Sequence, residues 1–178
     1  NDVTVRDYFY DAVKWAVDRG ITSGTSRYTF SPDAPCTRAQ VVTFLWRAAG
    51  CPQPTSKSNP FTDVPADSWY TDAVVWAAEN GIVSGFGDGT FRPNDALTRA
   101  QAAVMLCAFA AFTQDDVTVR ADLSAYSDAG QIPSWAMDAM QWANARQLII
   151  GRDSAHLAPT AATTRAEMAS ILSAYIRK

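Results

Sequence analysis

One histidine, three cysteines and three lysines are scattered through 178 residues, and each scarcity removes a class of chemistry. His156 has no counterpart elsewhere, no cysteine has a histidine that recurs with it, and Gly-x-Ser-x-Gly does not occur. Neither a repeated nucleophile–base pair nor a metal-ligand set can be assembled from the sequence, so no catalytic residue, metal or cofactor is expected. Cys36, Cys51 and Cys107 are an odd number without zinc spacing and leave the redox state open; Cys107, in an apolar helical run, reads as a small core residue. The longest apolar run, 102–112, is too short to cross a bilayer, so membrane insertion is not expected. A net charge of −3 and a pI near 5.0 argue against a partner held by phosphate neutralisation, so nucleic acid is not expected. With only Lys14, Lys57 and Lys178 among 15 basic residues, the positive charge is mostly arginine, the residue suited to fixed contacts with carboxylates.

What is abundant is repetition. The segments 8–40, 69–101 and 135–167 align without a gap, offset by 61 and then 66 positions. Ala12, Ala73 and Ala139 coincide, as do Trp15, Trp76 and Trp142; Gly24, Gly85 and Gly151; Pro32, Pro93 and Pro159; and Arg38, Arg99 and Arg165. A unit of this size is marginal alone, so three units are expected to stack into one body around an apolar content of 48%. The repeats are placed at 1–50, 61–112 and 126–178, with surface linkers at 51–60 and 113–125. Asp2 and Val3 match Asp63 and Val64, but nothing matches Phe61, and the first repeat reads as truncated at its start. Asp-Val-Thr-Val-Arg also recurs at 2–6 and 116–120, out of phase with the main repeat.

In the middle unit an opening turn at Phe61 to Pro65 leads to a helix from near Trp69 to Gly81, with Asp67 or Ser68 as its cap. Trp69, Ala73, Trp76 and Ala77 recur at helical spacing and predict a buried face, and Gly81 stands where a left-handed C-cap is wanted. An ordered loop from Ile82 to Pro93 follows, pinned by Ile82 and Phe91. A second helix opens at Thr98 with a capping box to Gln101; Thr37 with Gln40 and Thr164 with Glu167 repeat the box. The fold class is mainly α: three helix-loop-helix repeats in a pseudo-threefold, three-pronged arrangement with grooves between repeats.

The candidate chemistry lies in the Arg after each capping Thr. A cation in the first helical turn opposes the helix dipole, yet three units keep one at Arg38, Arg99 and Arg165. Either each guanidinium and the unpaired N–H groups of its helix start hold an anionic guest, or each Arg bonds a neighbouring unit and locks the packing. Tyr8, Trp69 and Trp135 lie at the starts of the first helices, where a ring can stack on a sugar or be buried against the next unit. Asp2, Asp63 and Asp128 can anchor their own opening turns or touch a ligand. Gly24, Gly85 and Gly151 can serve a backbone bend or let a ligand approach the main chain.

Laid out as Phe-x-Asp-Val, Trp-Tyr, Ala-Val, Gly-Ile, Thr-Phe-x-Pro and Thr-Arg-Ala-Gln, the sequence resembles three tandem S-layer homology domains over nearly its whole length. The resemblance implies a non-enzymatic anchor of secreted proteins at the bacterial cell surface, gripping secondary cell-wall polysaccharide through a terminal pyruvylated N-acetylmannosamine, with the rest of a longer surface protein attached. It places the polysaccharide contacts at Arg38, Arg99 and Arg165 within 37–40, 98–101 and 164–167. Gln40 and Gln101 depart from the family's Glu, and the third unit has Gln147 for Gly81, Leu157 for Phe91 and no Gly-Asp-Gly loop. The grooves are therefore expected to differ, with the groove around Arg99 favoured and one depending on the loop near Ser154 disfavoured. The rival reading is a protein-interaction or S-layer assembly module without glycan binding, for which the exposed aromatics would form one contiguous apolar patch.

Overall fold

The computed structural model describes residues 2–56 and 58–177, so Asn1, Lys57 and Lys178 lie outside the described residues. Among these it is helical, without named strands: α1 (Tyr10–Asp18), α2 (Arg38–Ala48), α3 (Thr71–Glu79), α4 (Arg99–Phe112), α5 (Met137–Ala145) and α6 (Arg165–Ile176), with short 3₁₀ turns at Ala129–Gln131 and Ser134–Ala136.

The two helices of each repeat start by different means. All three capping boxes form: Thr37, Thr98 and Thr164 accept from the backbone of Gln40, Gln101 and Glu167, whose side chains return the bond to the Thr backbone. By contrast α3 begins two residues later than the sequence predicts and has no side-chain cap. Neither Asp67 nor Ser68 caps it; a backbone turn from Ser68 O to Thr71 N leads in instead. Trp69 lies in that turn ahead of the helix, so its ring escapes the buried face and is 62% exposed, whereas Ala73, Trp76 and Ala77 are buried.

The first helices end alike. Gly81 adopts φ +68°, its N–H bonds Ala78 O, and Ile82 N–H reaches back to Ala77 O. This Schellman arrangement satisfies carbonyls the helix would otherwise leave open. Gln147 takes the same conformation at φ 58° in α5 without being glycine, and its side chain adds a bond to Asn144 O.

Helices pair across repeats. α2 packs on α3, α4 on α5, and α6 on α1, so the contacts close a cycle through all three repeats. At the middle of this cycle lie the equivalent residues Cys36, Leu97 and Thr163, each fully buried. Cys36 N donates to Thr163 O (2.8 Å), Thr163 N to Leu97 O (2.8 Å) and Leu97 N to Cys36 O (2.9 Å). The ring satisfies three buried main-chain pairs that no helix supplies. Burial pushes the Cys36 thiol up to about 12, which leaves it an unreactive packing atom at neutral pH.

The linkers lie along the first helices. Glu79 of α3 accepts from Thr55 N and Ser56 N, and Arg146, at the end of α5, pairs with Asp115 at 2.9 Å.

Candidate functional site

The loop after each first helix is shaped by an aspartate 28 to 30 residues upstream. Asp63 accepts Phe91 N and Arg92 N, both at 2.7 Å; Asp2 accepts Phe30 N and Ser31 N; Asp128 accepts Leu157 N and Ala158 N. The second residue of each pair has positive φ, at 57° for Arg92, 58° for Ser31 and 52° for Ala158, so the carboxylate stabilises a turn that a side chain disfavours. These aspartates therefore bind the far end of the loop rather than only their own opening turn, and both oxygens are engaged in doing so.

At Asp2 the bond from Phe30 N leads in lowering the carboxyl's pKa. At Asp128 desolvation by burial opposes ionisation, but the two amide bonds prevail and lower it as well. A depressed folded-state pKa stabilises the fold above the ordinary carboxyl range and loses that contribution as pH falls through it. Thermal denaturation from pH 7 to 2 is therefore expected to show melting temperature falling below about pH 4, and Asp128→Asn flattening the fall.

The glycines serve the same loops. A Cβ on Gly85 would come closer than 3.0 Å to Thr90 O and to the ring of Phe61; on Gly24, to Ser26 O and Thr29 O; on Gly151, to Asp153 O and the ring of Tyr126. The chain itself, rather than a ligand, makes the close approach. Gly85→Ala is expected to lower stability by about 2 kcal/mol, measured by urea denaturation, because one of the two nearest obstacles is a main-chain carbonyl that cannot rotate away.

Each arginine crosses into the next repeat. Arg38 Nε donates to Phe91 O (2.8 Å), Arg99 Nε to Leu157 O (2.8 Å) and Arg165 Nε to Phe30 O (2.9 Å). Arg99 Nη2 also bonds Ile150 O, and Arg165 Nη2 bonds Ser23 O. Exposure falls to 6%, 6% and 3%, and burial pulls all three guanidinium groups below the ordinary arginine range. Among the described residues no carboxylate lies within ion-pair distance of any of them. The packing-lock reading is thus realised in all three repeats.

The helix-start amides, by contrast, are not open to a guest. Arg38 N and Ala39 N donate to Asp95 O and Pro93 O, Arg99 N and Ala100 N to Ala161 O and Pro159 O, and Arg165 N and Ala166 N to Ala34 O and Pro32 O. The third amide of each helix is taken by the capping Thr. The neighbouring repeat occupies the donors that the sequence reading assigned to an anion.

What remains is the outer edge of the guanidinium. Arg38 has no acceptor for Nη1 or Nη2 among the described residues, and it lines a groove of about 660 Å³ with Ile82 to Gly87, Gln101, Val104, Met105 and Trp135. Its guanidinium lies 4.9 Å from the centre of the Phe86 ring and 4.6 Å from that of Phe91. A second groove, of about 470 Å³, holds Arg99, Gln147 to Arg152, Glu167, Ser170, Ile171 and Tyr8. Trp135 is 60% exposed and Tyr8 80%, so both rings present faces to solvent.

Each groove draws on all three repeats: Arg from one, loop and capping Gln or Glu from the next, and the aromatic from the third. By the repeat offsets the counterparts of these residues for Arg165 are the 21–27 loop, Gln40 and Trp69, and Arg165 is the most enclosed of the three arginines. The groove around Arg99 is also the one built on the loop near Ser154, so the favoured and disfavoured grooves of the sequence reading are one and the same. Phe86, Met105 and Arg152 escaped that reading because their role depends on which repeat faces which. Among the described residues no group of His, Cys, Asp and Glu is placed to hold a metal ion.

Comparison with known proteins agrees with this architecture. The sequence pattern of the S-layer homology domain matches residues 1–42, 60–103 and 125–169. The chain is 30% identical over its whole length to an endoglucanase of Bacillus sp. (strain KSM-635), covering 19% of that protein, and 32% identical over 95% of its length to the Surface-layer 125 kDa protein of Lysinibacillus sphaericus, covering 14% of it. Over 46 residues it is 54% identical to the Outer membrane protein SlpA of Thermus thermophilus, covering 5% of that protein. It spans a fifth or less of these relatives, and the matched stretch is a small fraction of the enzyme. The chain belongs to the S-layer homology family, as three tandem domains of a non-catalytic module that anchors proteins at the bacterial cell wall or S-layer.

Proposed function

We propose that the module holds secondary cell-wall polysaccharide noncovalently, taking an anionic terminus of the pyruvylated N-acetylmannosamine type, with the Arg38 groove as the principal site. The observation that carries this reading is a buried cation whose terminal nitrogens lack acceptors among the described residues, set beside an exposed indole in an open groove. A carboxylate of the terminus bonds Arg38, the apolar ketal methyl meets Phe86 and Met105, and the pyranose face stacks on Trp135. Gln101 and the backbone of 84–87 supply neutral polar contacts.

Tyr8 plays the part of Trp135 beside Arg99, and Trp69 plays it beside Arg165. Asp63, Asp128, Gly85 and Gly24 act indirectly by fixing the loops, and Thr37, Gln40, Thr98, Gln101, Thr164 and Glu167 by fixing the helix starts. Weak grooves on a repeating polymer gain avidity through effective concentration, which suits an anchor for the remainder of a longer surface protein. Trp135 and Tyr8 line different, polar-rimmed grooves, which favours this reading over a partner-docking patch. Titration calorimetry with pyruvylated wall glycan tests it: saturable heat supports the reading, and no heat removes it.

A further inference from the structure

Among the described residues lining the Arg38 groove, Arg38 alone is charged, because the capping position holds Gln101. The Arg99 groove keeps a carboxylate at the capping position, Glu167, but also has a second cation, Arg152. Their opposite charges sit 3.1 Å apart, with side-chain exposures of 42% for Arg152 and 21% for Glu167. Arg152 Nη2 also donates to Ala162 O at 3.1 Å, while Glu167 Oε2 accepts Thr164 N at 2.9 Å. Summing the lining charges gives one net positive charge in either groove.

The matching positions vary together. Arg152 occupies the loop position of Phe86 in the second repeat and Thr25 in the first; the capping residues of the same repeats are Glu167, Gln101 and Gln40. An uncharged loop residue accompanies an uncharged cap, and a charged loop residue accompanies a charged cap. Loop and cap of one repeat wall the same groove, so a carboxylate left alone there would cancel the field of Arg99. Arg99 is nine-tenths buried and has no acceptor for Nη1 among the described residues, which is the group that such a carboxylate would disable.

We propose that Arg152 sets the charge of the second groove: it offsets Glu167, leaves Arg99 as the net cation, and keeps this groove selective for a saccharide terminus with a single carboxylate. The proposal rests on the glycan reading above. Arg152 is a positioning residue for charge rather than a ligand contact.

The test is calorimetry at low salt with a singly charged pyruvylated monosaccharide. Wild type is titrated first, because absence of heat there removes the glycan reading itself. A Trp69→Ala/Trp135→Ala background then isolates the groove with Tyr8. In that background Arg152→Ala is expected to weaken binding about tenfold, with the loss shrinking at 0.5 M salt as screening shortens the reach of Glu167. Adding Glu167→Gln to Arg152→Ala is expected to restore affinity to within about threefold, since Gln keeps the cap while removing the charge. A purely structural role for Arg152 predicts no such rescue. Unchanged affinity in Arg152→Ala, or no recovery in the double variant, would overturn the proposal. A background protein that fails to bind while wild type binds would overturn it too, leaving the Arg38 groove standing.

Discussion

Replacing Arg99 with alanine is expected to lower stability by about 3 kcal/mol or more, because the change removes two donors at once from the joint between the second and third repeats. Leu157 O, in a fully buried residue, and Ile150 O lose their partners, and the space left by the side chain is lined by atoms that cannot all collapse into it. For a chain of this length that corresponds to a fall in melting temperature of roughly 10 °C. Arg99→Lys keeps the charge but cannot reproduce two divergent bonds from one planar group, so it recovers only part of the loss. Calorimetric melting of the three proteins decides the matter; an Arg99→Ala protein as stable as wild type would show that these bonds do not hold the repeats together. The same result bears on binding experiments, since lost affinity in an arginine variant does not separate a broken groove from a missing contact.

Trp135→Ala avoids that ambiguity and carries the other large expected effect. The ring projects from the 3₁₀ turn at Ser134–Ala136 and is 60% exposed, so its removal leaves the buried core intact and melting temperature is expected to stay within about 2 °C. Stacking of an aromatic ring on an apolar face contributes on the order of 1–3 kcal/mol, so affinity for the pyruvylated terminus is expected to fall roughly five- to 150-fold. Trp142→Ala makes the control: that indole is fully buried, so its truncation is expected to unfold the protein rather than to weaken binding selectively. Affinity unchanged in a folded Trp135→Ala protein would remove this ring from the site.

The three repeats, the capping boxes at Thr37, Thr98 and Thr164, and the left-handed Gly81 were legible because each is written within a few adjacent residues. Local hydrogen-bond chemistry determines them, and tertiary context does not override it. Arg38, Arg99 and Arg165 were legible only as an anomaly: a cation at a helix start asks for a partner, but the sequence does not say whether that partner is a sugar or a carbonyl of the next repeat. The structure gives Nε of each guanidinium to the neighbour, with Nη2 as well in Arg99 and Arg165, and also the first two helix-start amides, which the isolated motif presents as free.

The aspartates show the same limit. Asp63 lies beside its own turn in sequence, yet its oxygens bind amides of Phe91 and Arg92, since a positive-φ residue needs a stabilising acceptor nearby in space rather than nearby in the chain. Trp69 and Trp135 were ambiguous because a ring at a helix start can turn either way; the late start of the helix turns both outward. Groove membership was the least legible feature of all. It depends on a cyclic order in which each groove takes one wall from every repeat, and no single repeat contains that information.

The central claim is that the outer edge of Arg38 and the face of Trp135 hold one saccharide terminus between them. A crystal structure of the chain soaked with pyruvylated N-acetylmannosamine tests it most directly. The carboxylate is expected to be bonded to the terminal nitrogens of Arg38 and the pyranose ring stacked on Trp135, with Phe86 against the ketal methyl. A saturating soak that leaves this groove empty, or a sugar seated without touching either residue, would contradict it.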